Sequence, residues 1–250
     1  MLNSIIYPYV RKKKDNLKQR IDVRGEMVWR APKPEVLKES DLLVGDVLFC
    51  GSAKTNKATK LIQNMTDGSY VHCGIYIGGG RVAEITTKGA KCPGFREFHD
   101  NYSYIAVARC PGINPFRQRA IVRYAGLCVK QKVKYNWIGA VLLPFSEYFY
   151  IKSQYQMAFS KNYKPLKASK KTLTRHRMFC SEFVVQCFKA CGYIEKNDPY
   201  SISHKCSPTW LAEENTFGLI GYMSSIGLTG VDDQDPFLGG CAYVLGKTSN

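Results

Sequence analysis

Three consecutive glycines, Gly78-Gly79-Gly80, stand between two segments rich in β-branched and aromatic residues, Ser69 to Ile77 and Arg81 to Thr86. Glycine enters the left-handed backbone region of tight reversals without steric cost, so the stretch reads as a β-hairpin. An antiparallel sheet must therefore be part of the fold. Alternation along the first strand puts Val71, Cys73, Ile75 and Ile77 on one face, a core face. Tyr70, His72, Gly74 and Tyr76 share the other face, which is polar and aromatic, and Gly74 leaves room there for an approaching group.

Loop length sets the register. With a three-residue glycine loop, Ile77 pairs with Arg81 and Gly74 with Glu84, and Glu84 then shares His72's face one diagonal position away. A two-residue loop would turn Glu84 into the core, where an unpaired carboxylate is expensive. The three-residue register is the expectation.

Other elements follow from periodicity. Leu42 to Cys50 reads as a turn and a buried strand, and Tyr104 to Arg109 as a third strand. Lys54 to Asn64 has helical spacing, a short helix is expected around Lys14 to Val23, and Ala120 to Val133 reads as a helix with a second one after Lys134-Tyr135-Asn136. Phe179 to Ala190 has its apolar residues Phe183, Val184, Cys187, Phe188 and Cys191 at helical spacing, with Gly192 as the stop. A last strand is expected at Cys241 to Leu245. Strands come before the Cys180 helix, which makes α+β the expected class.

Charge narrows the partners. The 250 residues carry a formal charge of +16, which favours nucleic acid, anionic membrane or acidic protein surfaces. The longest apolar run, Trp137 to Phe145, is about half the ~20 residues a membrane-crossing helix needs. Arg11-Lys12-Lys13-Lys14 follows the first apolar residues rather than preceding them, unlike a secretory signal. The ten cysteines have no CxxC pair, so reduced thiols and a cytoplasmic location, or delivery without a cleavable signal peptide, are expected. No metal or cofactor is expected: His72 and Cys73 point to opposite strand faces, and Gly78-Gly79-Gly80 lacks the Lys-Ser/Thr of a phosphate loop.

A thiol nucleophile needs surroundings that favour the thiolate, a base in reach, and a group that orients the base. Cys180 starts the best helix, where unpaired N–H groups favour negative charge, and Arg175 and Arg177 precede it. Cys187 and Cys191 lie on that helix's apolar face and read as core. Of the four histidines, His99 and His204 sit in polar loop-like stretches and His176 in the basic run, while His72 lies in a strand. Its alternative role is a structural histidine. Glu84 beside His72 would hold its tautomer and support its charged form. Asp46 after Gly45 reads as a turn organiser.

These residues also carry a resemblance. Leu43-Val44-Gly45-Asp46-Val47-Leu48-Phe49 and Tyr70-Val71-His72-Cys73-Gly74-Ile75-Tyr76-Ile77-Gly78 resemble the opening of the circularly permuted NlpC/p60 branch of papain-like thiol hydrolases. Phe179-Cys180-Ser181-Glu182-Phe183-Val184 is similar to its nucleophile helix, and Ser207-Pro208-Thr209-Trp210-Leu211 to the Ser/Thr-Pro segment that follows. Within the branch the YiiX-like group looks nearest. The resemblance implies Cys180 as nucleophile, His72 as base and Glu84 as the third polar member, in the permuted order. It departs at Cys73, where a small aliphatic residue is common, and in the acid-free segment before Cys180.

The resulting expectation is a basic N-terminal arm over 1–40, a permuted NlpC/p60-like catalytic domain over 41–215 with a basic insertion at about 146–177, and a C-terminal extension over 216–250 packed on it. Tyr70, Tyr76 and Ser181 are expected to contact a peptide, acyl-amide or lipid substrate. Lys161 to Arg177, following interleaved aromatics, is expected to meet an anionic membrane surface or nucleic acid. Two other functions share this scaffold. A lipid acyltransferase or phospholipase would use the same trio, though that branch carries an Asn-Cys-Glu-His-Phe type segment. A non-enzymatic basic binding module would leave the trio unused.

Overall fold

A computed structural model describes residues 20–21, 27–28, 35–51, 69–136, 177–194, 207–213, 217–225, 227–231, 235 and 237. The expected helix at Lys54 to Asn64, the helix after Asn136, the basic run Lys161 to His176, His204 and the strand at Cys241 to Leu245 lie outside these residues.

The chain is α+β. In order come β1 (Arg20–Ile21), β2 (Met27–Val28), β3 (Val47–Cys50), β4 (His72–Gly78), β5 (Arg81–Thr86), β6 (Gly89–Lys91), α1 (Phe95–His99), β7 (Ile105–Arg109), α2 (Pro115–Lys130), β8 (Lys134–Tyr135), β9 (Arg177–Met178), α3 (Cys180–Ala190), α4 (Pro208–Glu213) and β10 (Gly218–Met223). One sheet has the order β2-β1-β10-β7-β3-β4-β5-β6, and β8 and β9 form a separate pair. From β10 to β6 all neighbours are antiparallel. β1 joins β10 in parallel.

Both faces of the sheet are covered, and strand parity decides which core a residue joins. Val47, Phe49, Cys73, Ile75, Ala83, Ile85, Ala106 and Ala108 pack with Ile121, Ala125 and Cys128 of α2 and Phe183, Val184, Cys187 and Phe188 of α3. Leu48, Cys50, Tyr76, Val82, Ile105 and Val107 face Phe95 and Phe98 of α1. The face of Gly74 is therefore not open. A Cβ at Gly74 would come within 2.9 Å of Val82 and 3.3 Å of Phe98, so the room it leaves is taken by α1.

The hairpin keeps the expected register in its body, with Ile75 opposite Ala83 and Tyr76 opposite Val82. At the tip it differs: Gly78, not Ile77, opposes Arg81, so Ile77 bulges and the turn shortens to Gly79-Gly80. Backbone φ values of +85°, +60° and +66° at Gly78, Gly79 and Gly80 explain why all three are glycines.

Four elements depart from expectation. Arg20–Ile21 is strand where a short helix was expected, and Glu35 to Leu37 bonds alongside β10 through Leu37 N–H to Tyr222 O and Tyr222 N–H to Glu35 O. Parts of the arm thus belong to the sheet. β10 lies inside that sheet rather than in an extension laid on it. α2 begins at Pro115, ahead of Ala120, because Asn114 caps it by accepting the Arg117 N–H at 2.9 Å and Pro115 suits the first turn. His99 ends a short helix, α1. Asp46 organises its turn: it accepts the Leu43 N–H at 2.8 Å and receives the Arg109 guanidinium on both oxygens at 2.7 Å.

Candidate active site

His72 opens β4, past the Ile75 end of the β4–β5 ladder. There Glu84 is joined to it through side chains, with His72 Nε2 2.6 Å from Glu84 Oε2. The other carboxylate oxygen, Oε1, lies 3.1 Å from Lys91 Nζ, and Lys91 sits opposite Glu84 in the β5–β6 ladder. The His72 ring is stacked on Tyr102 at 5.9 Å and lies beside Phe98 at 6.1 Å. His72 is thus held by one hydrogen bond and two rings, and its Nε2 is committed to Glu84. Nδ1 is left for a second partner.

The candidate for it is Cys180, whose charge acts on His72. β9 hydrogen-bonds beside β8, with Asn136 N–H donating to Met178 O at 3.1 Å, and this fixes where α3 starts. Phe179 stays extended as the cap, and Cys180 becomes the first helical residue. Its thiol is also acted on by Cys73. The helix ends where Gly192 adopts φ +70° and its N–H reaches Lys189 O.

The electrostatics favour a charged trio. The hydrogen bond from the Cys73 thiol, then the His72 charge, outweigh burial and hold the Cys180 thiol well below the usual range. Burial alone would lower His72, but the Cys180 charge and hydrogen bond, followed by those of Glu84, push it up to about 10. Burial works to raise Glu84, yet His72 and then Lys91 bring it below the ordinary carboxylate range. These shifts run together toward thiolate, imidazolium and carboxylate, with Cys180 also at the positive end of α3. Such a group can attack a carbonyl and return a proton to the leaving atom.

The residues expected to touch substrate, Tyr70, Tyr76 and Ser181, are all buried. Tyr70 is 1% exposed, and its hydroxyl donates to Asp235 Oδ2 at 2.6 Å. Tyr76 packs with Phe95 and Phe98, and its hydroxyl accepts the Gly80 N–H at 3.1 Å, at the far end of β4. Ser181 is fully buried in the first turn of α3. Tyr102 and Lys91 are the residues that inspection of the sequence missed. Lys91 was findable once β6 was drawn against β5; Tyr102 follows α1 and carries no local signal. Among the described residues no group of three or more His, Cys, Asp or Glu is placed to hold a metal ion. Among them too, no helix is long and apolar enough to cross a membrane.

The chain matches no family model, and no curated protein matches it.

Proposed function

We propose that the chain is a thiol hydrolase of the circularly permuted papain-like, NlpC/p60 kind, nearest the YiiX-like group. It cleaves an amide, ester or thioester through an acyl-enzyme on Cys180. The observation that carries this reading is the 2.6 Å bond between His72 Nε2 and Glu84, on a histidine electrostatically coupled to a cysteine at a helix start. The order His72, Glu84, Cys180 along the chain is the permuted one.

The Cys180 sulfur attacks the carbonyl carbon, the C–S bond forms, and negative charge moves to the carbonyl oxygen. First-turn N–H groups of α3, which have no acceptor within the helix, are suited to hold that oxygen. His72 then passes its Nδ1 proton to the leaving nitrogen, oxygen or sulfur, and the acyl-enzyme forms. Water, deprotonated by His72, releases the acid. Glu84 keeps Nε2–H bonded throughout and stabilises the imidazolium.

The substrate is a peptide, acyl-amide or lipid, and the basic segment Lys161 to Arg177 brings the enzyme to an anionic surface. The exposed face of α2 supports this, with Arg119, Arg123 and Lys130 beside the 70%-exposed Phe116 and the 47%-exposed Leu127. The test is intact-protein mass spectrometry after a panel of acyl, peptide and lipid electrophiles. An acyl adduct confined to Cys180, absent in Cys180→Ala and His72→Ala, supports the proposal. Transfer of that acyl group to an added acceptor rather than to water would make the protein an acyltransferase. No adduct with any member of the panel counts against catalysis and for a binding module.

A further inference from the structure

The outer side of α2 holds a combination of residues that packing does not explain. At 3.6 residues per turn, Phe116, Arg119, Arg123, Leu127 and Lys130 fall within an arc of about 80°. That arc lies opposite Ile121, Ala125 and Cys128, which pack in the core. All five are exposed, Phe116 at 70% and Leu127 at 47%. Phe116 and Leu127 lie on one line of the helix about three turns apart, with the cations alongside. Single exposed apolar residues are ordinary, but two large ones aligned among cations are a patterned face. Positions 101–146 contain no Asp or Glu, and among the described residues no carboxylate is ion-paired with Arg119, Arg123 or Lys130. Arg117 makes a contrast: its guanidinium is committed within the chain, 5.3 Å from the centroid of the Tyr193 ring. Gly126 borders the arc with nothing within 4 Å of where a Cβ would stand, so no neighbour requires it to be small.

We propose that α2 is an interfacial helix that seats the protein on an anionic lipid bilayer, with Phe116 and Leu127 entering the acyl boundary and Arg119, Arg123 and Lys130 meeting lipid phosphates. A bilayer surface uses both kinds of side chain, because apolar area removed from water adds to the attraction of anionic headgroups. A nucleic-acid backbone would use the cations alone and leave Leu127 in water. The helix runs 16 residues, about 24 Å, enough to lie along the interface. It packs beside α3, the helix that Cys180 opens, so the bilayer meets the helical side of the sheet. The inference rests on the anionic-surface part of the proposed function. It assigns the contact to α2 rather than to Lys161 to Arg177 alone, and it needs no chemistry at Cys180.

The test sediments the full chain with vesicles of phosphatidylcholine alone and of phosphatidylcholine mixed equally with phosphatidylserine. The native chain should bind the mixed vesicles more tightly. Gly126→Lys and Gly126→Glu then probe the face without disturbing a packed residue. At roughly fivefold per charge near the surface, Gly126→Lys should bind the mixed vesicles about thirtyfold more tightly than Gly126→Glu. High salt should close that gap. Phe116→Ser combined with Leu127→Ser should weaken binding about tenfold or more. In Phe116→Trp the added fluorescence should be quenched by lipid brominated in its acyl chains. Equal affinity of the two Gly126 variants, or no such quenching, overturns the inference. So does tighter binding to a single-stranded oligonucleotide than to mixed vesicles, or a dimer of the native chain that the double Ser variant disperses. Loss of vesicle binding when Lys161, Lys164, Lys167, Lys170 and Lys171 all become Gln, with the two Gly126 variants alike, overturns the assignment to α2 and leaves the anionic-surface reading standing. A native chain that does not bind the mixed vesicles overturns both, while the acyl-enzyme is decided separately by adducts at Cys180.

Discussion

Replacing Glu84 with Gln isolates the charge of the third residue while keeping an oxygen where Oε2 stands, 2.6 Å from His72 Nε2. A hydrogen bond to a charged group is worth about 1.5–3 kcal/mol and a neutral one about 0.5–1.5. The substitution should therefore cost roughly 1–2 kcal/mol at the imidazolium, which is about a five- to thirtyfold loss in any step that needs it. The sign on pH follows from the shifts. Glu84 helps push His72 up to about 10, and the His72 charge in turn helps hold Cys180 low. In Glu84→Gln the thiol must rise and the imidazole must fall, so the pH window of the ion pair narrows from both ends. Timed iodoacetamide labelling of Cys180 from acid to alkaline pH reads both limbs. Lys91→Met is the control, because Lys91 is 43% exposed and an exposed partner contributes only about 0.2–1 kcal/mol. A folded Glu84→Gln protein with an unchanged profile would refute the coupling of Glu84 to Cys180 through His72.

Two further expectations concern stability. Asp235 accepts hydroxyls from Tyr70, Tyr104 and Tyr222 and the Phe237 N–H, so Asp235→Ala strands three buried hydroxyls and should cost about 3–6 kcal/mol in denaturant unfolding; a loss under about 1 kcal/mol would contradict the role of this cluster in holding the approach to β4. Asp46→Ala leaves the Arg109 guanidinium, 4% exposed, without its bidentate partner and should cost about 3–5 kcal/mol. Asp46→Ala combined with Arg109→Met should recover part of that, and a double variant no more stable than Asp46→Ala alone would rule out an unpaired charge as the cause.

What was legible in the sequence was local. The glycines and the cost of burying Glu84 specify the body of the hairpin, and periodicity with Gly192 specifies α3. The short α1 offers no period to read, so the filling of the space beside Gly74 by Phe98 was hidden. Gly221 looked like a tail glycine, but a Cβ there would lie 2.5 Å from Glu35 O; it is small because the segment at Glu35 to Leu37 crosses closely. Tyr70 resembled a cleft residue because its partner, Asp235, lies 165 positions away.

The most direct test of the central claim is the carboxymethylation rate of each of the ten cysteines in the native chain at mildly acidic pH. Peptide mass spectrometry gives the individual rates. An ordinary thiol is protonated there and slow, whereas a thiolate paired with His72 reacts. The account predicts that Cys180 is labelled ahead of the other nine and loses its lead in His72→Ala. Statistical labelling, or Cys73 reacting while Cys180 stays silent, would contradict it.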